Sequence, residues 1–311
     1  MERKVLQIHP TQFCNYQCLH CYSSSSPKLK QYLTKEKVES VITDATELGY
    51  KRLSVSGGEP LLYVHLEEIL SVAKEKGMST SLITNGSFSQ KRYSKLHGLV
   101  DTIAVSLDGD KTLHNKIRQN KTAFDRVDCF LDFAPSYFRN VGIAFSISDD
   151  SWETIPSILE YGKDKNVDII QFHPLESFGR AKKSGLSLNS ASLKRAYLLL
   201  NALMCQYRFP IQVDVLGKAS ASRIMTPKIY GRNAADIIDL LVLNEKGQVF
   251  PYTYGMDNQW MIADLDQRFS EGWVNFKNFK LPYFRKWCIE SYEQYDELIF
   301  GPSEPFFERV A

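Results

Sequence analysis

Three cysteines near the start of the chain have a spacing that suits a metal cluster. Cys14, Cys18 and Cys21 are separated by three and then two residues. Thiolates are the preferred ligands of iron–sulfur clusters, and three of them can hold three irons of a cubane. The fourth iron then has no nearby protein ligand, so a second molecule can bind there and be activated. We therefore predict a [4Fe–4S] cluster at this loop.

A structural zinc site is the alternative use of these thiols. Zinc sites of that kind are closed by four ligands, and no fourth ligand stands at finger-like spacing here. The other cysteines, at positions 129, 205 and 288, are scattered singly through a chain of 311 residues. A disulfide framework is typical of small secreted chains instead, so metal binding is the favoured interpretation.

Six βα units are predicted to position the cysteine loop. Short β-rich runs predict strands at Val5–His9, Arg52–Ser56, Thr80–Thr84, Thr102–Leu107, Gly142–Ser148 and Asp168–Phe172. Most of these runs are almost continuously apolar, which is typical of parallel strands buried on both faces. Amphipathic segments predict helices at Lys35–Tyr50 (with Thr34 as N-cap), His65–Lys76, Gln90–Leu99, Ala123–Phe138, Trp152–Lys165 and Ala191–Arg208.

This alternation predicts an α/β fold with a parallel sheet, either open and doubly wound or curved into a partial barrel. In both architectures the chemistry lies at the carboxyl ends of the strands. The alternation stops near residue 215, so we predict a core of residues 1–215 and a small lobe of residues 216–311. Within the lobe, Leu240–Tyr252 resembles a hairpin around Gly247, and the aromatic residues beyond it form either a core, which we favour, or a peptide groove.

Further candidate site residues follow the predicted strands. Gly57-Gly58-Glu59 closes the second strand, and two glycines let backbone approach a ligand closely. Asn85 and Ser106 stand at the ends of the third and fourth strands. Gly-Gly, Asn-Gly and Asp-Gly are also ordinary turn dipeptides, so their common placement at strand ends is what gives them weight.

The Cys-x3-Cys-x2-Cys loop after a first strand, followed by six βα units, resembles the radical S-adenosylmethionine (SAM) superfamily. The resemblance implies a partial (β/α)6 barrel and one [4Fe–4S] cluster held by Cys14, Cys18 and Cys21. It also implies that SAM binds the unique iron through its amino and carboxylate groups. Reductive cleavage of SAM then yields a 5′-deoxyadenosyl radical that abstracts hydrogen from a substrate.

The same resemblance implies roles for individual residues. The Gly57-Gly58-Glu59 motif is expected at the SAM amino group, and Asn85 and Ser106 beside its methionine and ribose. Arg118 is the candidate partner of the SAM carboxylate, with a surface arginine as the alternative; Gln119 stands where the family usually has glycine. The remaining expected cofactor contacts are Tyr22, Leu175, the segment Gly179-Arg180-Ala181 near the adenine, and His20 packing near the cluster or adenine.

The tail resembles the entry to a SPASM domain, an extension found in peptide-modifying members. In that pattern a cysteine follows the proline, whereas Tyr252 follows Pro251 here, and beyond residue 205 only Cys288 remains. We therefore expect a degenerate SPASM-like lobe without auxiliary clusters. Cys288 is the candidate catalytic hydrogen-atom donor, and Cys129 and Cys205 are expected to pack as small apolar side chains.

The leading functional hypothesis is a maturase that modifies a ribosomally synthesised precursor peptide by crosslinking, epimerisation or backbone excision. Because no leader-binding module is evident at either end, we expect either a separate leader-recognition protein as a partner or direct docking of the substrate. An external donor such as flavodoxin or ferredoxin would supply electrons. The alternatives are a radical SAM enzyme acting on a small molecule such as an amino sugar, and a non-catalytic, metal-stabilised binding module.

Composition narrows these options. Lys and Arg number 38 against 36 Asp and Glu, so the charge is nearly balanced and a nucleic-acid partner is not expected. The sequence has neither a long apolar run nor an apolar signal segment after Met1-Glu2-Arg3-Lys4, so we expect no membrane association and a cytoplasmic location.

Overall fold

The computed structural model of the chain describes residues 4–204, 206–207, 210–213 and 238–300, with side chains described as far as residue 291. Within these residues, nine strands form one sheet in the order β7-β6-β5-β4-β3-β2-β1-β8-β9. The strands are β1 (Val5–Ile8), β2 (Arg52–Val55), β3 (Ser79–Thr84), β4 (Thr102–Ser106), β5 (Asn140–Ile147), β6 (Ile169–Pro174), β7 (Ile211–Val213), β8 (Leu240–Leu243) and β9 (Val249–Pro251). All neighbouring strands are parallel except β8 and β9.

Helices alternate with the strands along the chain. They are α1 (Lys35–Glu47), α2 (Leu66–Glu75), α3 (Gln90–Ser94), α4 (Lys111–Arg118), α5 (Ala123–Phe133), α6 (Ile155–Asp164), α7 (Ala181–Ser184), α8 (Ser190–Leu203), α9 (Phe269–Asn275) and α10 (Leu281–Phe300). Thr34 caps α1 as predicted, since its hydroxyl accepts from the Lys37 amide. Across the described ranges, no helix has both the length and the apolar character needed to cross a bilayer. The prediction of an α/β fold is confirmed, and of the two predicted architectures the sheet is the curved partial barrel and not the open doubly wound sheet.

The two faces of the sheet differ sharply in composition. Strand residues that face the helices, such as Leu6 and Leu53, are fully buried. Residues on the concave face are small or polar, as at Gln7, Ser54 and Ala104, and they line an open cavity. The expectation of strands that are apolar on both faces is therefore wrong, because the concave face borders this cavity rather than a second helical layer.

The C-terminal hairpin extends the main sheet. The predicted hairpin is present as β8 and β9, and β8 lies parallel to β1 with Leu241 opposite Leu6. Lys37 on α1 donates to the carbonyl oxygens of Asp264, Leu265 and Gln267 at 2.8, 2.8 and 3.0 Å, which ties the helical layer to the tail. The predicted domain boundary at residues 215–216 lies outside the described residues.

Candidate active site

The cysteine loop leaves the carboxyl end of β1 and brings three thiols to the rim of the concave face. Cys14 and Cys18 are buried, and Cys21 is partly exposed. Arg118 Nη1 lies 3.8 Å from Cys18 Sγ, and Asn85 Nδ2 lies 3.9 Å from Cys14 Sγ. Burial raises the pKa of the Cys18 thiol to about 11, although Arg118 acts in the opposite direction. Such thiols stay protonated until a metal displaces the proton, so the environment suits metal ligands.

The arrangement of the thiols bears on the kind of metal group. Among the residues that the structure describes, no three His, Cys, Asp or Glu side chains are placed to ligate a single metal ion. A cubane takes each of its thiolates at a different iron, so its ligands surround the cluster instead of meeting at one centre. The all-sulfur donor set therefore fits a cluster with three cysteine ligands.

Arg180, which follows β6, clamps the cysteine loop. Its Nη1 donates to the Cys18 carbonyl oxygen at 2.6 Å, and its Nη2 donates to those of Ser24 and Ser25 at 2.9 and 2.7 Å. Its backbone N–H donates to the Cys21 carbonyl oxygen at 2.9 Å. Four carbonyl groups of the loop are thereby satisfied by one residue, which fixes the backbone that carries the thiols.

Two glycines allow neighbouring segments to approach this loop. Gly58 lies against the Phe13 carbonyl group and Gly179 against the Tyr22 carbonyl group, so closely that a Cβ at either position would collide with backbone. The Gly58 amide also donates to the Thr11 carbonyl oxygen at 2.8 Å. The Gly-Gly motif and the segment around Gly179 thus shape the loop, a task that the sequence alone did not reveal.

Glu59 connects the ends of β2 and β3. Its carboxylate accepts from Thr84 Oγ1 and from the Asn85 amide, both at 2.9 Å, and from the Leu61 amide at 3.3 Å. The side chain is buried, and burial raises the pKa of Glu59 to about 7 despite these donors. Glu59 therefore orders the strand ends on which Asn85 stands.

Asn85 is further ordered by the loop itself. Its Nδ2 donates to Asn15 Oδ1 at 2.9 Å, and Asn15 Nδ2 donates to Ser87 Oγ at 2.7 Å. Arg126 Nη1 completes this chain of contacts by donating to the Ser87 carbonyl oxygen at 2.7 Å. Asn85, which follows β3, is thus held by a hydrogen bond to Asn15, which follows Cys14.

Arg118, at the end of α4, pairs with Asp108, which follows β4. Its Nε and Nη2 donate to Asp108 Oδ2 and Oδ1 at 2.6 and 3.1 Å. His20 Nε2 lies 3.1 Å from Oδ1, and His114 Nδ1 accepts from the Asp108 amide at 3.1 Å. Burial alone would raise the pKa of Asp108, but Arg118 and His20 hold it well below its usual range. The two N–H groups of Nη1 and the second N–H of Nη2 are left for the predicted pairing with the SAM carboxylate. Gln119 after Arg118 is left-handed (φ +53°), a conformation that glycine adopts without strain.

An aromatic cluster borders the other side of the loop. The rings of His9 and Tyr254 stack at a centroid distance of 4.9 Å, and Tyr22 packs edge-on against Tyr254 at 5.0 Å. Burial lowers the pKa of His9 to about 3, so its neutral ring bonds to the Tyr22 hydroxyl at 3.3 Å and the Ser56 hydroxyl at 3.2 Å. Tyr254, from the C-terminal region, donates to the buried Glu245 carboxylate at 3.0 Å. The C-terminal region thus contributes directly to this end of the sheet.

The predicted site residues come together on one cavity. The concave face borders a cavity of about 1760 Å³, which is lined by these predicted metal and cofactor residues: Cys14, Cys18, Cys21, Tyr22, Gly57, Gly58, Glu59, Asn85, Ser106, Arg118 and Leu175. The segment Gly179-Arg180-Ala181, expected near the adenine, does not line it. The lining residues lie at the ends of β1, β2, β3, β4, α4 and β6 or in the segments that follow them, so the architecture brings together motifs that are far apart in sequence.

The cysteines outside the loop lie away from this cavity. Cys288, the predicted hydrogen-atom donor, is fully buried in the apolar core and does not line the cavity, a placement that favours packing. Burial raises the pKa of its thiol to about 12. Cys129 is exposed on α5, so its predicted packing role is wrong: the residue falls on the outer face of its helix. Cys205 lies outside the described residues.

Several residues of the site escaped sequence reasoning. Asp108 looked like an ordinary Asp-Gly turn, Arg180 like part of an adenine segment, and His9 and Tyr254 carried no motif. The one available signal was position, since His9 directly follows strand β1 and Asp108 lies two residues after the end of β4.

A model of the radical SAM superfamily matches residues 8–162, about half of the chain. This family uses a [4Fe–4S] cluster and SAM. Among curated proteins, the chain is 27% identical to Fe-coproporphyrin III synthase from Methanosarcina barkeri over 256 residues. The alignment covers 78% of this chain and 64% of that relative, so the chain spans less than two thirds of the relative's length.

Solved structures share the fold over most of the chain. SuiB from Streptococcus suis, bound to the precursor peptide SuiA, has a TM-score of 0.70 at 14% identity and covers 91% of this chain and 66% of its own. The enzyme anSMEcpe, with bound AdoMet and the Cp18Cys peptide, has a TM-score of 0.66 at 19% identity and covers 92% of this chain and 83% of its own. At such identities the likeness establishes the fold alone.

Proposed function

We propose, from the premise that this chain belongs to the radical SAM superfamily, that it modifies a ribosomally synthesised precursor peptide. The chain is a radical SAM enzyme; the peptide substrate is the step that we add. The size of the cavity is the observation that carries it. Single ligands usually occupy about 300–1,000 Å³, whereas this cavity measures about 1760 Å³ and runs from the cysteine loop to the amino ends of the strands. That volume leaves room for a second molecule beside SAM and the cluster.

The residues of the loop fit the family's cluster. Cys14, Cys18 and Cys21 would hold it, because their thiols are the soft donors that iron–sulfur clusters take. With the cluster and SAM bound, the cluster would supply the one-electron reduction on which the family's cleavage of SAM depends. We assign SAM contacts to Tyr22, Gly57, Gly58, Glu59, Asn85, Ser106, Arg118 and Leu175, all of which line the cavity.

The protein's own contribution is to fix these groups before SAM arrives. Arg180 holds the loop carbonyl groups, and Glu59 holds the end of β3 next to Asn85. The small side chains on the concave face, such as Ser54 and Ala104, leave space for ligands. Preformed contacts of this kind position a substrate C–H group without reorganisation during the reaction.

The two structural neighbours also support a peptide. Both were solved with peptides bound, and each likeness covers more than nine tenths of this chain. The C-terminal region of this chain supplies Tyr254 to the rim of the cavity. We propose that crosslinking, epimerisation and backbone excision are the candidate reactions, with a separate leader-recognition protein, a flavodoxin or ferredoxin as electron donor, and a cytoplasmic setting.

A small-molecule substrate is the second candidate. It is favoured by the relative that covers 78% of this chain, which is named for a tetrapyrrole product, Fe-coproporphyrin III. The concave face carries polar groups such as Gln171 and His173, which suit hydrogen bonds to a polar small molecule as well as to a peptide.

Anaerobic turnover with SAM and dithionite separates the two. The probes are synthetic peptides encoded by short reading frames beside the gene, and a panel of amino sugars and tetrapyrroles. A peptide substrate predicts a mass change in one peptide and faster release of 5′-deoxyadenosine in its presence. Acceleration by a small molecule, with every peptide unchanged, would refute the peptide proposal and leave the family assignment intact.

A further inference from the structure

Asp108 holds a charge in a fully buried position. Arg118 engages it through two bonds of 2.6 and 3.1 Å, and His20 Nε2 lies 3.1 Å from the same carboxylate. An arginine held by two parallel bonds loses the freedom to rotate, because the plane of the guanidinium is fixed by the plane of the carboxylate. A buried ion pair is expensive to desolvate, so its presence here calls for a reason.

With Nε and Nη2 of Arg118 bound to Asp108 in a two-bond fork, the third nitrogen, Nη1, faces the cysteine loop. Nη1 lies 3.8 Å from Cys18 Sγ. The backbone follows the same course, since the Ile117 carbonyl oxygen accepts from the Leu19 amide at 2.8 Å. The end of α4 therefore contacts the loop through one side-chain contact and one backbone hydrogen bond. Asp108 binds the opposite edge of the Arg118 guanidinium.

A cation with an N–H group beside a ligating sulfur changes the energy of an iron–sulfur cluster. Reduction adds negative charge, which a nearby positive charge and a hydrogen bond to sulfur stabilise, so the reduction potential rises. The negative charge of Asp108 acts the other way. Of the two residues, Arg118 is the one that approaches the Cys18 sulfur directly, with Nη1 at 3.8 Å, so its charge should have the stronger effect there.

We propose that Asp108 is a positioning residue that holds Arg118 against Cys18 and thereby raises the reduction potential of the cluster. The pair acts on the cluster before SAM binds, whatever the substrate. The proposal therefore depends on the family assignment and stands apart from the peptide proposal.

A redox titration of the reconstituted protein without SAM tests this, with the reduced cluster followed by electron paramagnetic resonance. Asp108→Asn should lower the ratio of reduced to oxidised cluster about tenfold at a fixed poise, which corresponds to about 59 mV for one electron. Asp125→Asn is the matched control, because Asp125 is an exposed carboxylate paired with Lys111 at 2.6 Å. The control should leave the ratio unchanged.

The direction in which Asp108→Asn changes the ratio of reduced to oxidised cluster shows whether Asp108 acts by positioning Arg118 or only through its own negative charge. If Asp108 acted only as a negative charge, Asp108→Asn would raise the ratio, and a raised or unchanged ratio overturns the proposal. Arg118→Lys provides a second test that keeps the charge but cannot form the fork; it should lower the ratio as well. Where Asp108→Asn fails to fold, Arg118→Lys decides alone, and an unchanged or raised ratio there overturns the proposal.

Discussion

The thiols of Cys14 and Cys18 and the aromatic rings around Phe284 are buried, but different interactions hold the two regions. Directional bonds from Arg180 fix the loop. Ring packing fixes the cluster, where Phe284 lies 5.1 Å from Trp260 and 5.5 Å from Tyr252 between ring centroids. Directional bonds set geometry, whereas apolar contact mainly lowers the free energy of folding. Chemistry and stability should therefore be separable by mutation.

Removal of a loop thiol should have the largest effect on chemistry. We expect Cys18→Ala to abolish both the visible absorption of the cluster and the release of 5′-deoxyadenosine, because one iron loses its ligand. The free energy of unfolding of the cluster-free protein should fall by only about 1 kcal/mol. Cys129→Ala, at an exposed position, should retain cluster and activity. Retention of the cluster by Cys18→Ala would contradict the ligand assignment.

Removal of a ring from the aromatic residues around Phe284 should have the opposite effect, a large loss of stability with little direct effect on chemistry. Phe284 is fully buried, so Phe284→Ala should lower the free energy of unfolding by about 3–5 kcal/mol through loss of packing and a cavity. Phe279→Ala is the matched control, because Phe279 is 71% exposed, and it should cost no more than about 0.5 kcal/mol. Denaturant unfolding measures both. Equal losses of unfolding free energy in the two variants would mean that the aromatic residues around Phe284 are not a stabilising core.

Glu59 gives the site a pH dependence that the apolar cluster lacks. Burial raises its pKa to about 7 in the folded state, well above its unfolded value. A raised pKa means that the folded state binds the proton more tightly. The resulting stability is complete below the unfolded pKa and is lost as pH rises through about 7. The loss is on the order of 3 kcal/mol.

The measurement is the difference in unfolding free energy between the parent protein and Glu59→Gln, taken from pH 4 to pH 8 without the cluster. His9 titrates in the opposite sense, because burial lowers its pKa to about 3, but it contributes equally to both proteins and cancels. A difference that stays constant with pH would show that the pKa of Glu59 is the same in the folded and unfolded states, which would contradict the raised value.

Cys288 should show the smallest effect and tests whether the two regions share any chemistry. If it only packs, Cys288→Ala should release 5′-deoxyadenosine at the parent rate and modify substrate normally. The unfolding free energy should fall by about 1 kcal/mol. Normal release of 5′-deoxyadenosine with loss of the product would instead restore its assignment as a hydrogen-atom donor.

Local sequence patterns were sufficient for the six strands and for the thiol loop. Apolar runs located strands such as β4, and the spacing of Cys14, Cys18 and Cys21 carried its own chemistry. Contacts across long separations were not readable in this way. The pairing of β8 with β1 depends on register between distant segments, and the Asp108–Arg118 pair depends on where α4 ends. No local pattern encodes either one.

The Arg180 clamp also constrains how the protein is assembled. Arg180 follows Cys18 by 162 residues, so during synthesis the thiol loop emerges from the ribosome long before the residue that satisfies its carbonyl groups. Until β6 has joined the sheet, the loop has its three thiols but lacks the hydrogen bonds from Arg180 that order its backbone. The loop can therefore reach its final hydrogen-bonded form only after residue 180, more than half of the 311-residue polypeptide, has been made.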